Sequence, residues 1–311
     1  MSTTAPALPT IHLWRDLVAA GWRDQAIARM VEREQWVRVR HGAYVDAAAH
    51  RALSAVDRHR VLARAVLKQG RTDLVLSHTT GVRELGIDPW DLADELVHVT
   101  RTDGRIGRTG AGVRQHGGRV VPGDVVERNG VPVMNATRVG IETTMLTDVE
   151  HAVALLNQLC HAGLTDRDAL AAMAARAAHW PESLSTDLAV RLVEPRCESV
   201  AESRSWYLFW SQHLPMPVPQ FVVTDAHGRT IARLDFAWPE LGVFAEFDGR
   251  AKYGSLLQPG QTTTDVLLEE RRRESRVVEA TGWRCIRLTW SDLAAPERTA
   301  SRIRRLLFPA A

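Results

Sequence analysis

The stretch Ile231–Tyr253, IARLDFAWPELGVFAEFDGRAKY, decides how this chain is read. It sets one acid, Asp235, on a predicted strand, an acid pair, Glu246 and Asp248, on the next, and Lys252 just beyond. The neighbours are apolar: Leu234, Phe236, Ala237, Val243, Phe244, Ala245 and Phe247. Carboxylates buried among such residues are costly unless something compensates them, and a divalent ion held by oxygen ligands is one common compensation. Side chains alternate along a strand, so Phe244, Glu246 and Asp248 share one face and Val243, Ala245 and Phe247 the other. The Pro239–Gly242 connection allows a tight return between the strands, which brings Asp235 and Glu246 to one metal. Asp235, Glu246 and Asp248 are the candidate ligands of Mg2+ or Mn2+. Glu202, on the preceding predicted helix, completes the acid cluster, and Lys252 supplies positive charge or orients a water for attack on a phosphodiester. The competing explanation is a structural ion-pair cluster, with Asp248 joined to Arg250 or Arg271.

Around this stretch, residues 193–311 read as a helix (Glu198–Gln212), three strands, a charged helix (Asp265–Thr281), a strand (Trp283–Trp290) and a closing helix (Ala300–Phe308). That order describes a mixed sheet flanked by helices. The proline-bearing Pro215–Pro219 segment breaks the chain before the first strand, which is placed at Phe221–Thr224.

Residues 51–192 read as an α+β middle domain, with strands at Leu74–Ser77 and Leu96–Thr100 and helices at Val56–Gln69, Val149–Ala162 and Asp166–Ala178. Within it, Thr100–Arg119 holds five arginines against one aspartate, with six glycines. Either it is a solvated flexible loop or its glycines let the backbone approach a phosphate. It lacks the GK[ST] ending of a Walker loop. His78 and His98, beside predicted strands, read as hydrogen-bonded core or loop residues, since the histidines show neither HExxH nor HxH spacing.

Residues 1–50 begin with a helix carrying Leu13, Leu17, Val18 and Trp22 on one face and ending at Gly21. A second helix follows, with Asp24 as N-cap and Ala26, Ile27, Met30 and Val31 as its apolar face. The alternating Trp36–Arg40, the turn His41-Gly42 and the strand Ala43–Val45 then form a hairpin. Two helices and a hairpin are the outline of a winged helix-turn-helix, in which the second helix enters the major groove and basic wing residues touch phosphates. Arg29, Arg33, Arg38, Arg40 and His41 are the candidate DNA contacts. A small helical subdomain with a solvated charged face is the alternative, because Glu32 and Glu34 offset part of the positive charge.

The whole-chain numbers fit this plan. A length of 311 residues suits two or three domains, and 45% hydrophobic with 24% charged residues suits a folded globular protein. A net charge of +2 leaves nucleic-acid affinity to local clusters. Three widely spaced cysteines form neither a disulfide framework nor a four-cysteine zinc site. No basic-then-apolar leader and no long apolar run is present, so a cytoplasmic protein without a membrane span is expected.

The ordered segments ESVAESR (Glu198–Arg204), LDFAWP (Leu234–Pro239), EFDG (Glu246–Gly249), Lys252-Tyr253, EERRRE (Glu269–Glu274) and GWRCIRLTW (Gly282–Trp290) resemble the PD-(D/E)xK nuclease superfamily, most closely the domains related to very-short-patch repair endonucleases. The resemblance implies a restriction-endonuclease-like C-terminal fold, with Asp235 and Glu246 as metal ligands and Glu202 as the helix acid. One departure stands out. The superfamily lysine falls two residues after the strand acid, where this chain has Asp248. The front half resembles the abortive-infection (AbiEi) antitoxins of type IV toxin–antitoxin systems, through Arg40–Tyr44, Leu76–Thr80, Val97–Thr100 and Gly130–Val133. That resemblance implies promoter binding through the winged helix and a toxin partner. The expectation is therefore an α/β multidomain chain: a winged helix-turn-helix (1–50), an α+β middle domain (51–192) and an endonuclease-like domain (193–311). Its expected function is binding of double-stranded DNA with Mg2+-dependent phosphodiester hydrolysis; the alternative is an antitoxin-like repressor whose nuclease-like domain is inert.

Overall fold

A computed structural model describes residues 8–92, 95–225, 227–248 and 273–309. Lys252, Tyr253, Arg250 and Arg271, invoked above, lie outside the described residues. The chain is an α/β protein with mixed sheets, and its contacts form two compact units: Met1–Asp148 with Leu164–Asp187, and Val149–Gly163 with Leu188–Ala311.

The first unit opens with β1 (His12–Leu13), helices Trp14–Ala19 and Asp24–Glu32, β2 (Trp36–Arg40) and β3 (Ala43–Asp46), which pair antiparallel in the order β1-β3-β2. Gly21 follows the first helix at φ +90°, where a side chain would be strained. Arg23, not Asp24, is the N-cap residue of the second helix, and the Asp24 carboxylate instead accepts the Trp14 indole N–H at 2.8 Å.

Six further strands follow: β4 (Leu74–Leu76), β5 (Val97–Arg101), β6 (Thr109–Gly110), β7 (Val113–His116), β8 (Val125–Arg128) and β9 (Val131–Met134). They form a mixed sheet in the order β6-β7-β5-β4-β9-β8. The glycine-rich Thr100–Arg119 stretch is thus part strand and part loop: residues 100–101, 109–110 and 113–116 are paired, and 102–108 and 117–119 lie outside the strands. Ala111 and Gly112, at φ +49° and +73°, make the two-residue turn between β6 and β7, a conformation that matches strand twist. Asn129-Gly130, at φ +50° and +74°, does the same between β8 and β9.

The second unit carries β10 (Val218–Thr224), β11 (Thr230–Trp238), β12 (Val243–Phe247) and β13 (Arg284–Leu288) in the order β10-β11-β12-β13, antiparallel except for the parallel β12–β13 pair. The first strand starts three residues earlier than the sequence suggests, and it contains Pro219. An edge strand tolerates a proline because one side of its ladder is unpaired. At the other end, Trp290 opens a helix and does not extend a strand. Thr289 and Asp292 form a capping box around helix Trp290–Leu293.

Apolar clusters cover both faces of this sheet. On one, Phe209 and Leu208 of helix Val200–Ser211 pack with Phe236, Trp238, Val243, Ala245 and helix Pro296–Leu307. On the other, Leu234, Ala237 and Phe244 pack with Val277 of the helical residues 273–281. Helix Val149–His161 belongs to this unit, where buried Asn157 donates to Ser203 Oγ (3.1 Å) and accepts the Glu194 N–H (2.7 Å).

Phe209 is fully buried and meets Phe236 and Trp238 edge-on at 5.2 and 5.3 Å. Phe209→Ala is expected to cost about 3–5 kcal/mol of stability, read by chemical denaturation. A loss below about 1 kcal/mol would show that this cluster does not hold the sheet.

Candidate functional site

Asp235 sits where the C-terminal sheet departs from regular geometry. Leu234 and Phe236 are two residues apart and should share a face, yet they lie in clusters on opposite faces. The alternation is therefore interrupted at Asp235. The pairs Pro219↔Phe236 and Phe221↔Leu234 place Gln220 opposite it, and Gln220 adopts φ +52°. On the other side, the β11–β12 register runs from Trp238↔Val243 to Phe236↔Ala245. At the next step the Asp235 carboxylate itself accepts the Phe247 N–H, at 2.8 Å.

This position is electrostatically crowded. Burial pushes the Asp235 carboxyl up to about 6; the Phe247 N–H and Arg273 oppose the rise, and the charges of Glu202 and Glu198 add to it. Glu202 is buried at the start of helix Val200–Ser211, whose N-cap is Ser199. Its carboxylate accepts from Ser199 Oγ (2.7 Å), the Glu198 N–H (3.0 Å) and Gln220 Nε2 (2.8 Å). Glu202 thus joins the helix start to the strained residue opposite Asp235.

Glu246 stands on the Phe244 side of β12, as strand alternation requires. Arg273 donates to its Oε2 at 2.7 Å, and the two border a small cavity of about 30 Å³ with Glu274 and Arg287. Asp248 is buried just past β12, its N–H donating to the Leu288 carbonyl at 2.8 Å. Glu202, Asp235, Glu246 and Asp248 occupy different elements: Glu202 the start of a helix, Asp235 the interior of β11, Glu246 the last part of β12 and Asp248 the residue just past that strand. They do not bring three ligand atoms within 4.8 Å of one another; among the described residues only a histidine group does so. Cys285 is half-buried on β13 with its thiol pushed up to about 12, first by burial, which suits packing and not nucleophilic attack.

In the first unit, Arg29, Arg33, Arg38 and His41 are exposed along the second helix and the β2–β3 hairpin. Arg40 is half-buried, and burial lowers its pKa. It lines a cavity of about 520 Å³ together with Arg71, Arg101 and Arg108. The fold thus joins the hairpin arginine to the basic Thr100–Arg119 stretch, which the linear sequence keeps far apart.

Sequence reading missed one constellation. His78, His98 and His116 converge on the six-stranded sheet, each offering a ring nitrogen within 4.8 Å of the others. Burial, then the charges of His116 and His98, holds His78 well below the ordinary imidazole range. The available signal was the i, i+2 register across neighbouring strands, visible only once β5 and β7 are known to pair.

No family model matches the chain. It is similar to two uncharacterized proteins of Mycobacterium tuberculosis, Rv2248 of strain ATCC 25618 / H37Rv and MT2308 of strain CDC 1551 / Oshkosh. Each is 29% identical over 113 residues, 36% of this chain. The match spans 38% of each relative's own length. Among solved structures, the RV2827C protein from Mycobacterium tuberculosis is similar at 13% identity and a TM-score of 0.39, over 64% of this chain and 75% of that one.

Asp235 also makes a stability prediction. Its folded pKa, about 6, lies above the ordinary aspartate value, so between the two the native state binds the extra proton. Stability therefore falls as pH rises through that window. Asp235→Asn removes the penalty and is expected to exceed wild type by about 1–2 kcal/mol above the window, converging with it in acid. Urea denaturation across pH reads the difference; a variant less stable than wild type at high pH contradicts the raised pKa.

Proposed function

We propose that this chain is a DNA-binding protein whose C-terminal sheet hydrolyses phosphodiester bonds with Mg2+ or Mn2+. The observation that carries the reading is the Asp235 carboxylate, raised to about 6 beside Glu202 at an interruption of both β10 and β11. A buried carboxylate beside a second acid favours a divalent cation, and backbone strain of this kind concentrates at functional sites. The donor type suits such an ion: hard cations take oxygen ligands, and Mg2+ commonly uses one or two carboxylates with waters.

In this reading Asp235 and Glu246 hold the ion, with Asp248 next to them. The bound ion supplies an activated water and offsets charge on the phosphodiester. Glu202 keeps Asp235 in its high-pKa environment and fixes Gln220. Lys252 contributes positive charge. The helix Asp24–Glu32 and the β2–β3 hairpin act as a winged helix-turn-helix on double-stranded DNA. Arg29, Arg33, Arg38 and His41 contact the duplex, and the Arg40–Arg71–Arg101–Arg108 cavity takes a backbone phosphate.

A second reading, an antitoxin-like repressor with an inert nuclease-like domain and a toxin partner, is favoured by a different observation. Arg273 already pairs with Glu246, and Glu202 already accepts three hydrogen bonds.

Plasmid nicking in Mg2+ or Mn2+ separates the two. The Asp235→Ala/Glu246→Ala variant is expected to lose at least about 100-fold in cleavage rate, a loss typical for removal of a stabilising group at a transition state, and to keep its DNA affinity. Wild type that binds DNA without nicking it supports the repressor reading. Arg38→Ala/Arg40→Ala is expected to weaken duplex binding and to lower the slope of log affinity against log salt by about 1–2, close to one per phosphate contact. An unchanged slope, measured by fluorescence anisotropy, removes the hairpin from the interface.

A further inference from the structure

We propose that His78, His98 and His116 form a binding site for a zinc-class divalent transition-metal ion. This site lies wholly in the first unit and is independent of the acid residues of the second. His98 is on β5 and His116 on β7, parallel neighbours in the sheet. His78 follows β4, whose end is tied to β5 by the Ser77 N–H donating to the His98 carbonyl at 3.2 Å. Three adjacent strands thus deliver the three rings to one place.

The geometry is that of a ligand set. His98 Nδ1 and His116 Nε2 lie 2.9 Å apart, and the His78 and His116 rings stack at 3.6 Å between centroids. A tetrahedral zinc with bonds of about 2.0–2.1 Å sets its ligand nitrogens roughly 3.3 Å apart; the three nitrogens already lie within 4.8 Å of one another, and the ion would replace the His98–His116 hydrogen bond and turn the stacked His78 and His116 rings toward itself. Nitrogen donors favour zinc-class ions over Mg2+.

The surroundings add independent support. The Glu142 carboxylate lies 3.6 Å from His78 Nδ1, and Ser77 Oγ lies 3.0 Å from it. Glu142 is itself fixed by Arg138 Nε at 2.8 Å. A carboxylate on the far nitrogen of a histidine is how proteins orient that ring toward a metal, and it leaves Nε2 of His78 as the ligand atom. His78 also holds φ +49°, a conformation uncommon for a buried non-glycine residue.

His78 and His116 line a cavity of about 340 Å³, as does Thr100. The buried Thr100 hydroxyl has no hydrogen-bond partner among the described residues. A metal-bound water or a small anion at the fourth coordination position would satisfy it. Three protein ligands facing a cavity match a metal site with an open position, not a closed structural one.

The test uses the full chain, stripped with a chelator and titrated with Zn2+ by calorimetry, alongside Co2+ absorption spectroscopy. About one zinc per chain is expected, together with the visible bands of tetrahedral Co2+. His116 is only half-buried, so His116→Gln is the variant of choice. It is expected to lose at least about 10-fold in affinity, the lower bound seen even for changes outside the ligand set, with its circular dichroism unchanged. Asp235→Ala/Glu246→Ala is expected to bind zinc as wild type does. Should His116→Gln fail to fold, nitrogen NMR of the wild-type imidazoles decides: all three rings shift with Zn2+ if the site is real. Wild type without zinc binding, zinc binding undiminished in His116→Gln, or unshifted rings overturns the proposal.

Discussion

The hydrogen bond from the Phe247 N–H to the Asp235 carboxylate is the interaction on which the C-terminal unit turns. Up to Phe236↔Ala245 the two central strands exchange backbone bonds; at the next step a side chain replaces the backbone acceptor. A buried N–H without an acceptor costs about 1–3 kcal/mol, which the carboxylate avoids at the expense of its own burial. The same bond fixes the acid where the charges of Glu202 and Glu198 act on it.

The first unit uses buried charge differently. Arg138 is almost fully buried, pairs with Asp124 and Glu142, and lies 5.3 Å from the Trp180 ring. Arg60 and Arg64 both reach the buried Glu84 carboxylate. Here each acid has a guanidinium partner, and losing one partner of such a pair is far more damaging than its net contribution suggests. At Asp235 burial is the main cause of the raised pKa; the charges of Glu202 and Glu198 add to it, and the Phe247 N–H and Arg273 oppose it.

Much of this was legible in the sequence. The alternation in Val243–Phe247 fixed which side each residue faces, and the segment order of residues 193–311 anticipated the mixed sheet with its helices. The helix–helix–hairpin order at the front was equally visible. Other features were hidden for identifiable reasons. Pro219 suggested a break because an edge strand cannot be recognised before the sheet order is known. Ala111-Gly112 lay in a glycine-rich stretch whose turn chemistry was overshadowed by its arginines. The interruption at Asp235 depends on Gln220 of another strand, and the three histidines meet only through β4–β5–β7 pairing. Contacts set by long-range register leave little local trace.

The proposed site requires Asp235 to be an acid raised out of its ordinary range, first by burial, and responsive to a cation. A carboxyl-carbon NMR titration of Asp235, with and without Mg2+, tests this directly. A midpoint near 6 that drops when Mg2+ is added is the expected result. A midpoint in the ordinary aspartate range, unmoved by Mg2+, would contradict it and leave Asp235 as the end of a strand ladder alone.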